Sequence, residues 1–140
     1  MTIKASRNDV WMAVIDDRPG GAADKLEALA RAGASLETVF ARRTPEHPGQ
    51  GILFAGPIEG AKVRRAAEEA GFKRSETIHG IRVEGNDKPG LGARIARSLA
   101  EAGISFRGMQ ATAIGRNFTS FIALDSAEDA AKAVKIVRRL

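Results

Sequence analysis

Few residues of this chain have the types and spacing for chemistry. Serines are present, but no histidine stands near one in a nucleophile–base motif. His47 lies in a proline-rich stretch and His79 beside Gly80, neither with the neighbouring Cys, His or carboxylate spacing of a metal site. There is no cysteine, which excludes disulfides, zinc–thiolate sites and thiol catalysis together. Gly90-Leu-Gly92 resembles the start of a dinucleotide fingerprint, but Ile95 stands where its third glycine is needed. Gln50-Gly-Ile-Leu-Phe54 offers one aromatic where an RNA-reading strand stacks two or three, so Phe54 is assigned to the core. What remains is a pair of polar corners, Asp17-Arg-Pro-Gly20 and Asp87-Lys-Pro-Gly90, 70 positions apart. A proline has no N–H and a fixed φ, which suits the first turn of a helix, and an Asp just before it suits an N-cap or Asx turn.

The elements that position these corners are themselves duplicated. Residues 17–36 align with residues 87–106 without a gap, and nine of the 20 positions are identical. Composition alone gives roughly one or two. An apolar run, Val10–Ile15, leads into the first corner, and the alternating Ile81-Arg-Val-Glu84 leads into the second. After the first corner Ala22, Leu26, Leu29 and Ala30 form a helical stripe; after the second, Leu91, Ile95, Leu99 and Ala102 do. Gly33 and Gly103 are the expected helix stops. Strands follow at 35–41 and 104–112, then turns at 44–51 and 115–117, and strands at 52–55 and 118–124. Helices are predicted at about 60–70 and 126–138, the latter opened by the capping box Ser126-Ala-Glu-Asp129 with Ala130, Val134 and Val137 as its stripe.

Each half therefore reads β-α-β-β-α. A further extended stretch, 72–83, carries a break in alternation between Ile78 and Ile81, read as a bulge or sheet crossing near Gly80. The fold expected is α+β: two ferredoxin-like βαββαβ modules with antiparallel sheets, residues 1–78 and 79–140, the second lacking its last strand. A partner strand or residues 1–8 are expected to cover the edge so exposed.

Composition is consistent with one or two small domains. Of 140 residues, 44% are hydrophobic and 28% charged. The apolar runs are too short for a membrane helix and the first residues too polar for a signal peptide, so a soluble cytoplasmic protein without membrane association is expected. Charge is uneven. Residues 1–70 hold 10 basic and 10 acidic side chains, and residues 71–140 hold 12 and 7. A basic half admits an adaptor that docks on an enzyme or RNA without a small ligand. Aromatic content of 5% and the absence of Tyr weigh against nucleic acid, because single-strand binders stack bases on aromatic rings.

The Asp-Arg/Lys-Pro-Gly corner, its helix and the Ala-Gly-x-Ser exit before the second strand, present twice over about residues 10–140, resemble a tandem pair of ACT domains of the stand-alone kind. That resemblance implies a non-catalytic regulatory protein that binds a free amino acid, acts as a homodimer, serves an enzyme of amino-acid metabolism and uses no cofactor or metal. It places the ligand where the strand–helix corner of one module faces the second strand of another. The implied ligand-binding residues are Asp17, Pro19, Gly20, Gly21 and Ser35 in the first copy. In the second they are Asn86, Asp87, Lys88, Pro89, Gly90, Leu91, Gly92 and Ser105. Helix N-terminal N–H groups suit a carboxylate, an Asp suits an ammonium, and a serine adds a polar anchor. Two features depart from the family: Asp rather than Asn stands at the Asx position of both copies, and Gly21 stands where an apolar residue is usual, as Leu91 is. The second corner keeps the pattern better.

Overall fold

The computed structural model describes residues 2–140. The chain forms β1 (Lys4–Arg7), β2 (Trp11–Asp16), α1 (Gly21–Arg31), β3 (Thr38–Arg43), β4 (Gln50–Gly56), α2 (Ala61–Glu69) and β5 (Lys73–Arg74). It continues through β6 (His79–Asn86), α3 (Leu91–Glu101), β7 (Phe106–Ile114), β8 (Asn117–Leu124) and α4 (Ala127–Arg138). There are two compact units. One spans Val10–Ser75; the other combines Glu76–Leu140 with the residues through Asp9. Among the described residues no helix is long and apolar enough to cross a membrane.

In the Val10–Ser75 unit the strands lie in the order β3-β4-β2-β5, all antiparallel. That is the ferredoxin-like order, with the first and third strands of the motif in the middle. Alternation decides which face of β2 meets the helices: Ala13 is buried and Trp11 and Ile15 pack on the core, while Val14 between them is 57% exposed. Leu29 of α1, Leu53 and Ala55 of β4, and Val63 and Ala67 of α2 complete that core. Phe54 is buried on the opposite face of its strand, stacked on Phe40 at 4.6 Å between ring centroids. Ala30, expected on the α1 stripe, is exposed; the face turned inward is centred on Leu26 and Leu29.

The second unit has the order β1-β6-β8-β7, again antiparallel. It bears out one expectation of the sequence and corrects a boundary. Of the two covers expected for the edge left by the strand missing after α4, it is the chain's own beginning, within residues 1–8, that supplies one, with Lys4 opposite Glu84 and Arg7 opposite Ile81. Ile3 and Ala5 alternate with exposed Lys4 and Ser6, and this half-buried pattern seats them in the second core. The second repeat is thus a four-stranded module, and the boundary at 78/79 gives way to a discontinuous unit that includes the residues through Asp9. Leu91, Ile95 and Leu99, four residues apart, form the fully buried stripe of α3, whereas Ala102 is its exposed C-cap. Ala130, Val134 and Val137 of α4 are buried as expected.

No bulge occurs at Gly80. β6 pairs with β8 in unbroken register from His79–Leu124 to Asn86–Asn117, and the irregularity lies instead between Phe106 and Gly108 on β7. The break in alternation marks the passage from β5 in one sheet to β6 in the other. Gly80 is glycine because of packing: a Cβ there would stand 2.3 Å from the Asn8 carbonyl oxygen and 2.5 Å from the Phe121 ring.

Candidate functional site

Both corners are built the same way. The N–H of Gly21 donates to the Arg18 carbonyl at 3.1 Å, and that of Leu91 to the Lys88 carbonyl at 3.2 Å. Between them stand Pro19-Gly20 and Pro89-Gly90, with Gly20 at φ 91° and Gly90 at φ 84°. This is a type II turn, which favours proline at its second position and requires positive φ, hence glycine, at its third. The prolines therefore belong to the turn before each helix and not to the helix itself. The N-caps are Gly20 and Gly90, neither helix has a side-chain cap, and the expected capping by Asp17 and Asp87 is absent. The first-turn N–H groups beyond the turn bond, on Ala22 and Ala23 and on Gly92 and Ala93, have no intrahelical acceptor. They form the partial positive charge that attracts a carboxylate.

The aspartates tie each corner to its neighbouring hairpin. The Asp17 N–H donates to the Gly49 carbonyl at 3.0 Å, and the Asp87 N–H to the Arg116 carbonyl at 2.8 Å. Their side chains differ. The Asp17 carboxylate accepts from Arg43 Nε at 2.8 Å. Among the described residues Asp87 and its neighbour Lys88 make no ion pair with a third residue, and Asn86–Gly90 are exposed. The negative charge of the corner aspartate is thus compensated across the hairpin in the first copy and stands beside Lys88 in the second.

The two helix starts also differ. At Gly21 a Cβ would lie 2.2 Å from the Asp16 carbonyl oxygen, so the start of α1 is pressed onto the end of β2 and only glycine fits. Leu91, in the same position, is buried in the core instead. A hollow of about 420 Å³ adjoins the first corner, lined by Asp16, Arg18 and Gly21, by Asp24 and Lys25 of α1, and by Glu69 near the end of α2. The Arg18 guanidinium reaches Asp24 at 3.3 Å and Asp16 at 3.5 Å. Lys25 Nζ donates to the Ala70 carbonyl at the C-terminal end of α2. At the second corner Asn86 lines a hollow of about 220 Å³ with Lys4, Glu84, Gly85, Asn117 and Thr119.

Ser35 and Ser105 follow the C-terminal ends of α1 and α3 and are exposed. An 11-residue helix is roughly 16 Å long, so within its own unit each serine stands at the far end of the helix from its corner. Neither unit brings the two together. Sequence reading missed Asp16, Asp24, Lys25 and Arg43. The i, i+3, i+4 spacing of Gly21, Asp24 and Lys25 was a usable signal for one helix face. Arg43 gave none, because its approach to Asp17 needs the β3–β4 hairpin to be in place.

No family model matches the chain, and no curated protein matches its sequence. Solved structures do resemble it. A Bacteroides thetaiotaomicron protein aligns over 95% of this chain and 88% of its own at 16% identity and a TM-score of 0.71. The ligand-free regulatory subunit of aspartate kinase from Thermus thermophilus aligns over 99% and 96% at 18% identity and a TM-score of 0.68. Aspartate kinase from Clostridium acetobutylicum aligns over 98% of this chain but 34% of its own, at 15% identity and a TM-score of 0.60. At these identities the likeness is one of fold, and it spans both units.

Proposed function

We propose that this chain is a non-catalytic regulatory protein of the tandem ACT type that binds a free amino acid at its proline–glycine corners. The observation that carries the reading is the duplicated corner: a left-handed glycine caps each helix without any side-chain hydrogen bond, leaving first-turn N–H groups open to a carboxylate. Asp17 and Asp87 then stand where an α-ammonium would be accepted. The fold shared with a regulatory subunit of aspartate kinase supports a place in the control of an enzyme of amino-acid metabolism. Ser35 and Ser105 belong to such a site only if a corner of another module faces them, and a homodimer would provide that. Of the two edge strands of the second sheet, β1 and β7, a second copy would pair at β7, which runs nine residues and ends in the exposed Ile114. Control would work by linkage: the ligand favours one arrangement of modules by no more than its differential affinity for it.

The test is a melting-temperature screen of the full chain against each of the twenty amino acids at millimolar concentration. A ligand at a hundredfold excess over Kd stabilises by about 2.7 kcal/mol. For 140 residues unfolding together that raises Tm by roughly 9 °C. A flat response to all twenty defeats the proposal.

A further inference from the structure

The outer edge of the second sheet carries a concentration of positive charge that the fold leaves uncompensated. β1 is the outermost strand there. The Asn8 N–H bonds the Gly80 carbonyl at 2.9 Å, so by the alternation of an antiparallel ladder Ser6 and Lys4 also turn their backbone groups to β6. Ala5 turns its backbone outward. Its carbonyl accepts a bond from Arg138 Nε, at 3.0 Å, which brings the end of α4 round to the strand edge. A guanidinium has five N–H donors in one rigid plane, so this single bond orients the group and leaves its other donors available.

Beside it lies a hollow of about 500 Å³, lined by Lys4, Ser6, Arg82, Glu84 and Arg138. That size is within the range of small-molecule sites. Glu84 is the single acid on its wall, and it lies 3.9 Å from Arg82. Among the described residues neither Lys4 nor Arg138 has an acid within ion-pair distance, although Lys4 stands directly opposite Glu84 in the ladder. Other cations of the chain are matched closely: Arg7 with Asp9 and Arg43 with Asp17 at 2.8 Å, Lys132 with Glu128 at 3.1 Å. Two like charges lining one concavity repel, and an anion between them reverses the sign of that interaction.

We propose that this hollow is a binding site for a small oxyanion, the carboxylate or phosphate group of a metabolite, held by the Arg138 guanidinium, the Lys4 ammonium and the Ser6 hydroxyl. Arg138 supplies directional, charge-assisted hydrogen bonds, and Lys4 supplies a second charge across the strand edge. Lys4 and Glu84 also border the hollow beside Asn86 at the second corner, but the three proposed ligands are none of the corner residues, so the site stands whether or not the corners bind an amino acid.

Its test is a titration of the full chain with inorganic phosphate and, separately, with acetate, at ionic strength held constant with sodium chloride and followed residue by residue by amide NMR. Saturable shifts centred on Lys4–Ser6 and Arg138 are expected, and the anion that saturates at lower concentration identifies the headgroup. Lys4→Gln, which removes a charge but no hydrogen bond of the fold, should weaken binding about fivefold, and Arg138→Gln at least about tenfold. Lys135→Gln, of equal charge change on α4 but off the hollow, should leave it unaltered. Arg138→Gln also releases the Ala5 carbonyl, so Lys4→Gln decides if that variant loosens β1. The proposal is overturned if the shifts rise linearly without saturation for both anions, or if Lys4→Gln binds as Lys135→Gln does.

Discussion

Replacing Gly92 by alanine separates the two reasons for a glycine at the start of α3. Gly92 is the second helical residue after the Gly90 cap, and its φ is not in the left-handed region. A Cβ built there would meet only the Met109 terminal methyl, at 4.0 Å, an ordinary van der Waals contact. Packing within the chain therefore gives no reason for a glycine. In a helix the change from Gly to Ala stabilises by about 0.4–1 kcal/mol, chiefly by restricting the unfolded chain. At roughly 2.1 cal/mol/K per residue, that raises Tm by about 1–3 °C for the whole chain. If the reason is instead to let a carboxylate approach the Gly92 N–H, the new methyl occupies the approach. Affinity should then fall at least about tenfold, or about 1.4 kcal/mol. The assay is Tm with and without the amino acid that stabilises the wild type most. The expected outcome has opposite signs: a higher Tm for the free variant and a smaller ligand-induced rise. An unchanged rise would refute the placement of the carboxylate on α3. A lower Tm for the free variant would refute the steric reading of the helix start.

The same substitution at the first corner should behave differently. Gly21→Ala forces a methyl to within 2.2 Å of the Asp16 carbonyl, so it should destabilise by about 1–3 kcal/mol in a urea melt, and a neutral result would mean the helix start shifts freely. Gly80→Ala meets both the Asn8 carbonyl and the Phe121 ring, and a loss of about 2–3 kcal/mol is expected with reduced amide-exchange protection of β1 and β6. Ser126→Ala removes the hydroxyl that accepts from the Asp129 N–H at 3.0 Å, and should cost about 1 kcal/mol, seen as a drop in Tm.

Much of the fold was legible because it is encoded locally. The strand–helix order, the αL glycines at 33 and 103 and the Ser126 cap each depend on residues a few positions apart, and the 70-residue repeat shows the same local code twice. The proline–glycine corners were located correctly, but their conformation was misassigned. A proline φ near −65° fits a first helical turn and the second position of a type II turn equally, and the Gly20 and Gly90 conformations separate the two. Of the two readings offered at Gly80, the sheet crossing holds and the bulge does not: a glycine in a strand marks a close approach as readily as a bulge, and here the approach is by Asn8 and Phe121.

The sequence by itself determined the duplication, the element order, the apolar faces and the position of the two corners, because helix and strand periods and turn chemistry act over a few residues. Tertiary structure alone decided that the chain's beginning rather than a partner completes the second sheet, that Arg43 compensates Asp17, and that Arg138 bonds Ala5. Those relations join residues 26 to 133 positions apart, and strand register and the path of the intervening chain set them.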